Sequence, residues 1–145
     1  MFRAAVLLLA LTACATRSDC PDPAMESMAW RPVEGTVTSV DDPRTFHLST
    51  TDHGEITVTI PNLGDRAAEN ATAELRRMIG GKRVTVFISS SRDVTPAITG
   101  EVHVGRTDVA NEMLRKGWTD FVEAPAYTVS ATSECENRLA ATRRH

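Results

Sequence analysis

The chain has 145 residues and a formal net charge of −3, with 19 acidic against 16 basic side chains. Lys82 and Lys116 are its only lysines and its arginines are scattered. This argues against a protein that lives on phosphate contacts, which shows a basic face, so nucleic acid is not an expected partner. No internal repeat, low-complexity tract or second domain is visible, and the length suits one domain with a real core.

The chain opens Met1-Phe2-Arg3, continues through an apolar run from Ala4 to Leu11, and reaches Thr12-Ala13-Cys14. One positive charge, a short apolar core and small residues before a cleavage point predict a secretory signal over residues 1–13. The run is too short to span a ~30 Å hydrocarbon core as a helix. Leu11-Thr12-Ala13-Cys14 resembles the bacterial lipobox, which implies that Cys14 is acylated and becomes the new N-terminus, with the membrane as a partner. The alternative is an ordinary secretory signal with an incidental cysteine. Ala15, by resemblance to Gram-negative sorting rules, implies the outer membrane if the host has one. Losing Arg3 with the signal would take the charge from −3 to −4. With Cys14 assigned to lipid, an exported chain is expected to pair Cys20 with Cys135; two unpaired thiols are the alternative. Residues 14–32 carry Pro21, Pro23 and Pro32 and read as a lipidated tether, with Trp30 near its end. The domain is expected over residues 33–145.

Within it, Val33 to Val40 is rich in valine and threonine, and Thr45 to Thr50 places Phe46 and Leu48 opposite His47. Glu55 to Ile60 alternates Ile56, Val58 and Ile60 with Thr57 and Thr59. A helix is predicted from an N-cap at Asp65, with Ala68, Ala71, Leu75, Met78 and Ile79 on one face and Gly80-Gly81 as the stop. Arg83 to Ser89 and Ile98 to Val104 alternate again. A second helix fits Val109 to Lys116, capped by Asp108 and stopped by Gly117, and a third fits 130–143. Five short strands of period two with a helix after the third predict a mainly β, α+β fold: a five-stranded OB-type barrel with about three helices.

Two stretches carry a family resemblance. Glu69 to Val86, ENATAELRRMIGGKRVTV, and Val104 to Trp118, VGRTDVANEMLRKGW, are similar to the first helix with its glycine stop and to the strand, turn and second helix of the staphylococcal-nuclease-like (thermonuclease) family. The likeness spans roughly residues 33–143. It implies an OB barrel with three helices and, in active members, phosphodiester cleavage with calcium, an activated water and two arginines. Calcium requires oxygen ligands, and arginine forks neutralise charge developing on phosphate.

Each of those motifs is altered here. The family's Asp-Gly-Asp-Thr turn reads Asp41-Asp42-Pro43-Arg44-Thr45, with Arg44 at the metal carboxylate. A one-residue shift would bring Asp42 near. Thr59 stands at the first arginine, Gly64 or Asp65 at the second carboxylate, and Ala67 nearest the water-orienting glutamate, with Glu69 two residues on. Asp93-Val94-Thr95-Pro96-Ala97 replaces the stretch bearing the second arginine, while Arg92 and Arg106 lie nearby. Removing one charge-stabilising donor costs 10²–10³ in rate, so several losses imply a degenerate site with no catalytic residue. Asp42 and Asp65 would be the metal ligands, and calcium the cofactor, only if the chain is an active nuclease.

The remaining polar groups are read as structural. His47, His53, His103 and His145 lack metal-ligand spacing, and His47 and His103 are expected to be solvated on outward faces. Ser89-Ser90-Ser91 reads as a loop tip. Asn70-Ala71-Thr72 is a formal sequon of little meaning in a bacterial helix. Asp41, Asp42, Asp52, Asp65 and Glu69 would form an acidic rim if their loops meet; a solvated loop surface is the expectation. Trp118 and Phe121 are expected in the core. The sequence reads as a lipid-anchored binding domain of the cell envelope, with a protein or envelope partner. Two alternatives stand beside it: an active extracytoplasmic nuclease, and an accessory lipoprotein of an envelope machine or exclusion system.

Overall fold

A computed structural model describes residues 20–21 and 29–143. The segment read as a signal, Cys14 and most of the segment read as a tether lie outside the described residues. The fold is mixed α+β, mostly sheet, with three helices. Along the chain run β1 (Trp30–Asp42), β2 (Thr45–Thr50), β3 (Gly54–Thr59), β4 (Leu63–Ala67), α1 (Ala71–Ile79), β5 (Arg83–Ser89), β6 (Ala97–Thr99), β7 (Glu101–Val104), β8 (Thr107–Asp108), α2 (Val109–Arg115), β9 (Thr119–Phe121) and α3 (Ala131–Thr142). No described helix is long and apolar enough to cross a membrane.

β1 organises the sheet. Its first half, Trp30 to Thr36, pairs antiparallel with β5, and its second half, Thr36 to Asp42, pairs with β2. Val33, Gly35 and Val37 face inward in strict alternation. A register shift after Val37 then turns Val40 inward instead of Ser39, as one extra residue in a strand does. Gly35 permits the bend: a Cβ there would stand 2.4 Å from the Ser49 carbonyl oxygen and 2.8 Å from Leu48. β1 begins at Trp30, inside the segment read as tether, and Pro32 sits exposed opposite Phe87.

The main sheet runs β6-β3-β2-β1-β5-β7-β8, an open sheet of seven strands where a closed five-stranded barrel was expected. The five expected runs are all present. The run from Ile98 to Val104 divides at Gly100, so that β6 pairs parallel with β3 while β7 pairs antiparallel with β5. A Cβ at Gly100 would lie 2.5 Å from the Phe87 carbonyl oxygen, so the crossing requires glycine. β8 adds two residues through the Gly105-Arg106 turn.

α1 buries Ala71, Leu75, Met78 and Ile79, the predicted face. Its start is corrected from Asp65 to Asn70. Residues 63–67 instead form β4, which pairs with β9 in a separate two-stranded sheet, and Ala68 N–H donates to the Trp118 carbonyl. Pairing with a distant strand outweighs the local capping signal. Asp108 does cap α2, accepting from Asn111 N–H, and Gly117 follows it at φ 75°. Ser130 caps α3. Phe46, Leu48, Ile60, Leu63, Leu75, Ile79, Met113 and Leu114 form the fully buried centre, and Trp118 and Phe121 pack against it half-buried.

Cys20 and Cys135 are disulfide-bonded, with Cα atoms 5.6 Å apart, and the Pro21 carbonyl accepts from the Thr132 hydroxyl. The bridge pins the N-terminal segment to α3 across 115 positions. In the chain-entropy view a loop of that length is worth up to about 5 kcal/mol. Cys135→Ser is therefore expected to lower the unfolding free energy by about 3–5 kcal/mol in urea titrations, and a reducing agent should lower the wild-type midpoint while leaving that of the variant unchanged.

Candidate functional site

A cleft of about 700 Å³ opens where three segments meet: the end of β3 with the corner into β4, the loop from β5 to β6, and residues 122–128. Pro61 cannot donate to a ladder, which favours an end to β3 there. Asn62 then reverses the chain at φ 67°, a conformation asparagine tolerates better than most residues. Its side chain is buried and fully used. Nδ2 donates to the Val122 carbonyl (3.1 Å) and to Glu134 Oε1 (3.2 Å), while Oδ1 accepts from Asn137 Nδ2 (3.1 Å). Glu134 Oε1 also accepts from Ala124 N–H at 3.1 Å, and Asn137 Oδ1 accepts from Asn111 Nδ2 at 3.3 Å. One buried amide thus fixes the floor of the cleft, its outer wall and α3.

Arg44 enters from the β1–β2 turn. Its backbone N–H donates to Asp42 Oδ1 (2.9 Å), the two-residue side-chain turn typical of aspartate. Its guanidinium donates to the Leu63 carbonyl (3.3 Å) and pairs with Asp65 Oδ1 (2.7 Å). Asp42 and Asp65, the carboxylates on which calcium would depend, are therefore both engaged by Arg44. This donor set does not fit calcium, which takes six to eight oxygen ligands and is repelled by the guanidinium already paired with Asp65. Thr59 lines the cleft without charge, Ala67 is exposed on β4, and Arg106 lies in the β7–β8 turn. Glu69 is exposed ahead of α1. Arg92 does reach the cleft, its guanidinium 4.0 Å above the Tyr127 ring. Val122 and Tyr127, exposed to 42% and 49%, put apolar surface on the same wall.

The acidic rim is only partly assembled. Asp41 pairs with His47 Nε2 at 2.7 Å, and Asp42 and Asp65 flank Arg44. Asp52 sits in the β2–β3 turn at the opposite end of those strands. His47 faces outward, but the expectation of a solvated side chain is corrected: its side chain is 28% exposed and is held by Asp41 and by the Thr57 hydroxyl.

The expectation for His103 is corrected. It is not a solvated side chain: it is three-quarters buried beside Glu101, with its ring edge-on to Phe87. Nε2 lies 2.6 Å from Glu101 Oε1, and the cross-strand pairing sets Asp108 directly opposite. Ser130 Oγ donates to Glu101 Oε2 and Ser133 Oγ to Asp108 Oδ2, so the first turn of α3 closes over the group. Burial and then the Glu101 charge push the Asp108 carboxyl up to about 6, against the pull of His103, Asn111 N–H and Ser133. Burial draws His103 down, but the Glu101 hydrogen bond and the charges of Asp108, Glu101 and Glu136 outweigh it and raise its pKa. A two-residue hairpin reading of Val104 to Thr107 would have brought 103 and 108 together in the sequence. Nothing in the sequence marks Asn62.

Compared with protein-family models and with curated protein sequences, the chain gives no match.

Two outcomes follow. Asn62→Ala leaves the Asn137 and Glu134 groups short of partners and strains the turn, so it is expected to cost about 2–4 kcal/mol in urea denaturation. Asn62→Gly should recover part of that by relieving the backbone. In the presence of chelator, stability should rise on acidification. Asp108 and His103 both have folded values above their unfolded ones, so their contribution is complete at low pH and is lost as pH rises through the folded values. The midpoint should climb by several degrees from about pH 8 to about pH 5, and Asp108→Asn, which still caps α2, should flatten the slope.

Proposed function

We propose that the chain is a lipid-anchored binding domain of the cell envelope, built on a nuclease-like OB scaffold, whose cleft holds a partner without cleaving phosphodiesters. The observation that carries this reading is Arg44. Its guanidinium pairs with Asp65 and its backbone N–H with Asp42, the two carboxylates that resemble the family's metal ligands, and Thr59 and Ala97 leave the places of the two arginines uncharged. The OB assignment rests on residues 97–104. Their first half pairs with β3 and their second half with β5, the two neighbours a closing strand of such a barrel would have, on a sheet that itself is open.

Val122 and Tyr127 give the wall apolar contact area, and Arg92 over Tyr127 supplies a cation beside it. Aromatic and arginine side chains are the residues that dominate binding patches. A protein segment or an envelope polymer is the partner this surface suits. Anchorage at Cys14 would hold the domain at a membrane, with the Cys20–Cys135 bridge only six residues beyond the lipid. The nuclease reading keeps one supporting observation, that Asp42 and Asp65 are both contacted by Arg44.

Incubating the exported chain with DNA and RNA in calcium separates the two readings. No cleavage above a protein-free blank is expected, with or without chelator. Chelator-sensitive cleavage that disappears in Asp65→Ala would overturn the binding-only reading.

A further inference from the structure

We propose that Glu101, His103 and Asp108 form a binding site for one divalent transition-metal ion of the zinc class, separate from the cleft. Their candidate donor atoms, one imidazole nitrogen and two carboxylate oxygens, all lie within 4.8 Å of one another. Zinc, with bonds of ~2.0–2.2 Å to nitrogen and oxygen, sets its ligand atoms roughly 3.3–3.6 Å apart, so the three side chains would draw in around the ion by side-chain rotation. With the imidazole neutral, the set carries two negative charges in a half-buried place, and the charged groups that face His103 there are Glu101, Asp108 and Glu136.

The two carboxylates are also held from behind, the arrangement in which outer hydrogen bonds orient metal ligands. Ser130 Oγ fixes Glu101 through Oε2 (3.3 Å), and Ser133 Oγ fixes Asp108 through Oδ2 (3.0 Å). Asn111 N–H reaches Asp108 Oδ1 at 3.2 Å, and Phe87 meets the His103 ring edge-on with centroids 5.3 Å apart. The three donors come from β7 and β8, and the serines come from the first turn of α3. An ion here would lock α2 and α3 onto the sheet. One imidazole with two carboxylates suits zinc, and also manganese or iron(II), better than calcium, which seeks an all-oxygen set.

The test uses the full chain, purified without a histidine tag and stripped with chelator, titrated with zinc chloride by calorimetry. One zinc per chain is expected, with a midpoint of thermal unfolding that rises with zinc concentration. His103→Gln and Asp108→Asn should each weaken binding more than tenfold, and Ser133→Ala about tenfold. His47→Gln, which removes the other ion-paired histidine, should bind as the wild type does. Long-range proton–nitrogen spectra of the wild-type protein give a reading that needs no variant: the ring nitrogens of His103 should shift on adding zinc, and those of His47 and His53 should not. Absence of stoichiometric binding, unchanged affinity in His103→Gln, or binding lost in His47→Gln would overturn the proposal.

Discussion

Everything that shapes the cleft converges on the buried side chain of Asn62. Its amide ties the β3–β4 corner to Val122, Glu134 and Asn137, and through Asn137 to α2. A buried polar network is stabilising only when every member is satisfied. This one leaves no atom of the Asn62 amide idle. The consequence is mechanical. The outer wall, residues 122–128, is tied down at few points: Val122 N–H donates to the Asn62 carbonyl, Glu123 pairs with Arg138, and Arg92 lies over Tyr127. It stays in place because α3 holds it through Glu134, and α3 is in turn held by the Cys20–Cys135 bridge. Stability of the N-terminal attachment and shape of the cleft are thus one problem.

Two ionic arrangements at different places give the molecule its electrostatic character. At Arg44 the guanidinium is paired with Asp65 while the backbone N–H holds Asp42, so a positive charge already stands beside these carboxylates. Around His103 the balance is reversed: carboxylates crowd an imidazole, and only serine hydroxyls and a backbone N–H answer them. The first arrangement has no need of a cation, and the second has room for one. A calcium ion among Asp42 and Asp65 is therefore opposed by a single residue.

Much of the scaffold could be read from periodicity. The five strand runs follow from alternation, because one face of each is buried. The face of α1 follows from Leu75, Met78 and Ile79. The disulfide follows from the logic of export once Cys14 is set aside. What could not be read depends on pairing between distant residues. β4 and β9 are short and carry little alternation, so Leu63 opposite Phe121 is a tertiary fact. Gly100 looks like any turn glycine until the Phe87 carbonyl is seen against it. His103 was expected in solvent because alternation places it on the outer face, and alternation does not say that α3 covers that face. The two carboxylates beside Arg44 were visible as candidates, and only the fold reveals that the arginine joins them.

The central claim is that Arg44 holds the place a catalytic cation would need. Proton–nitrogen correlation spectra of the protein titrated with calcium chloride, at constant ionic strength, test it most directly. The account predicts that the backbone amides of Asp42, Arg44 and Asp65 stay where they are through millimolar calcium. A saturable shift confined to those three amides, reversed by chelator, would contradict it.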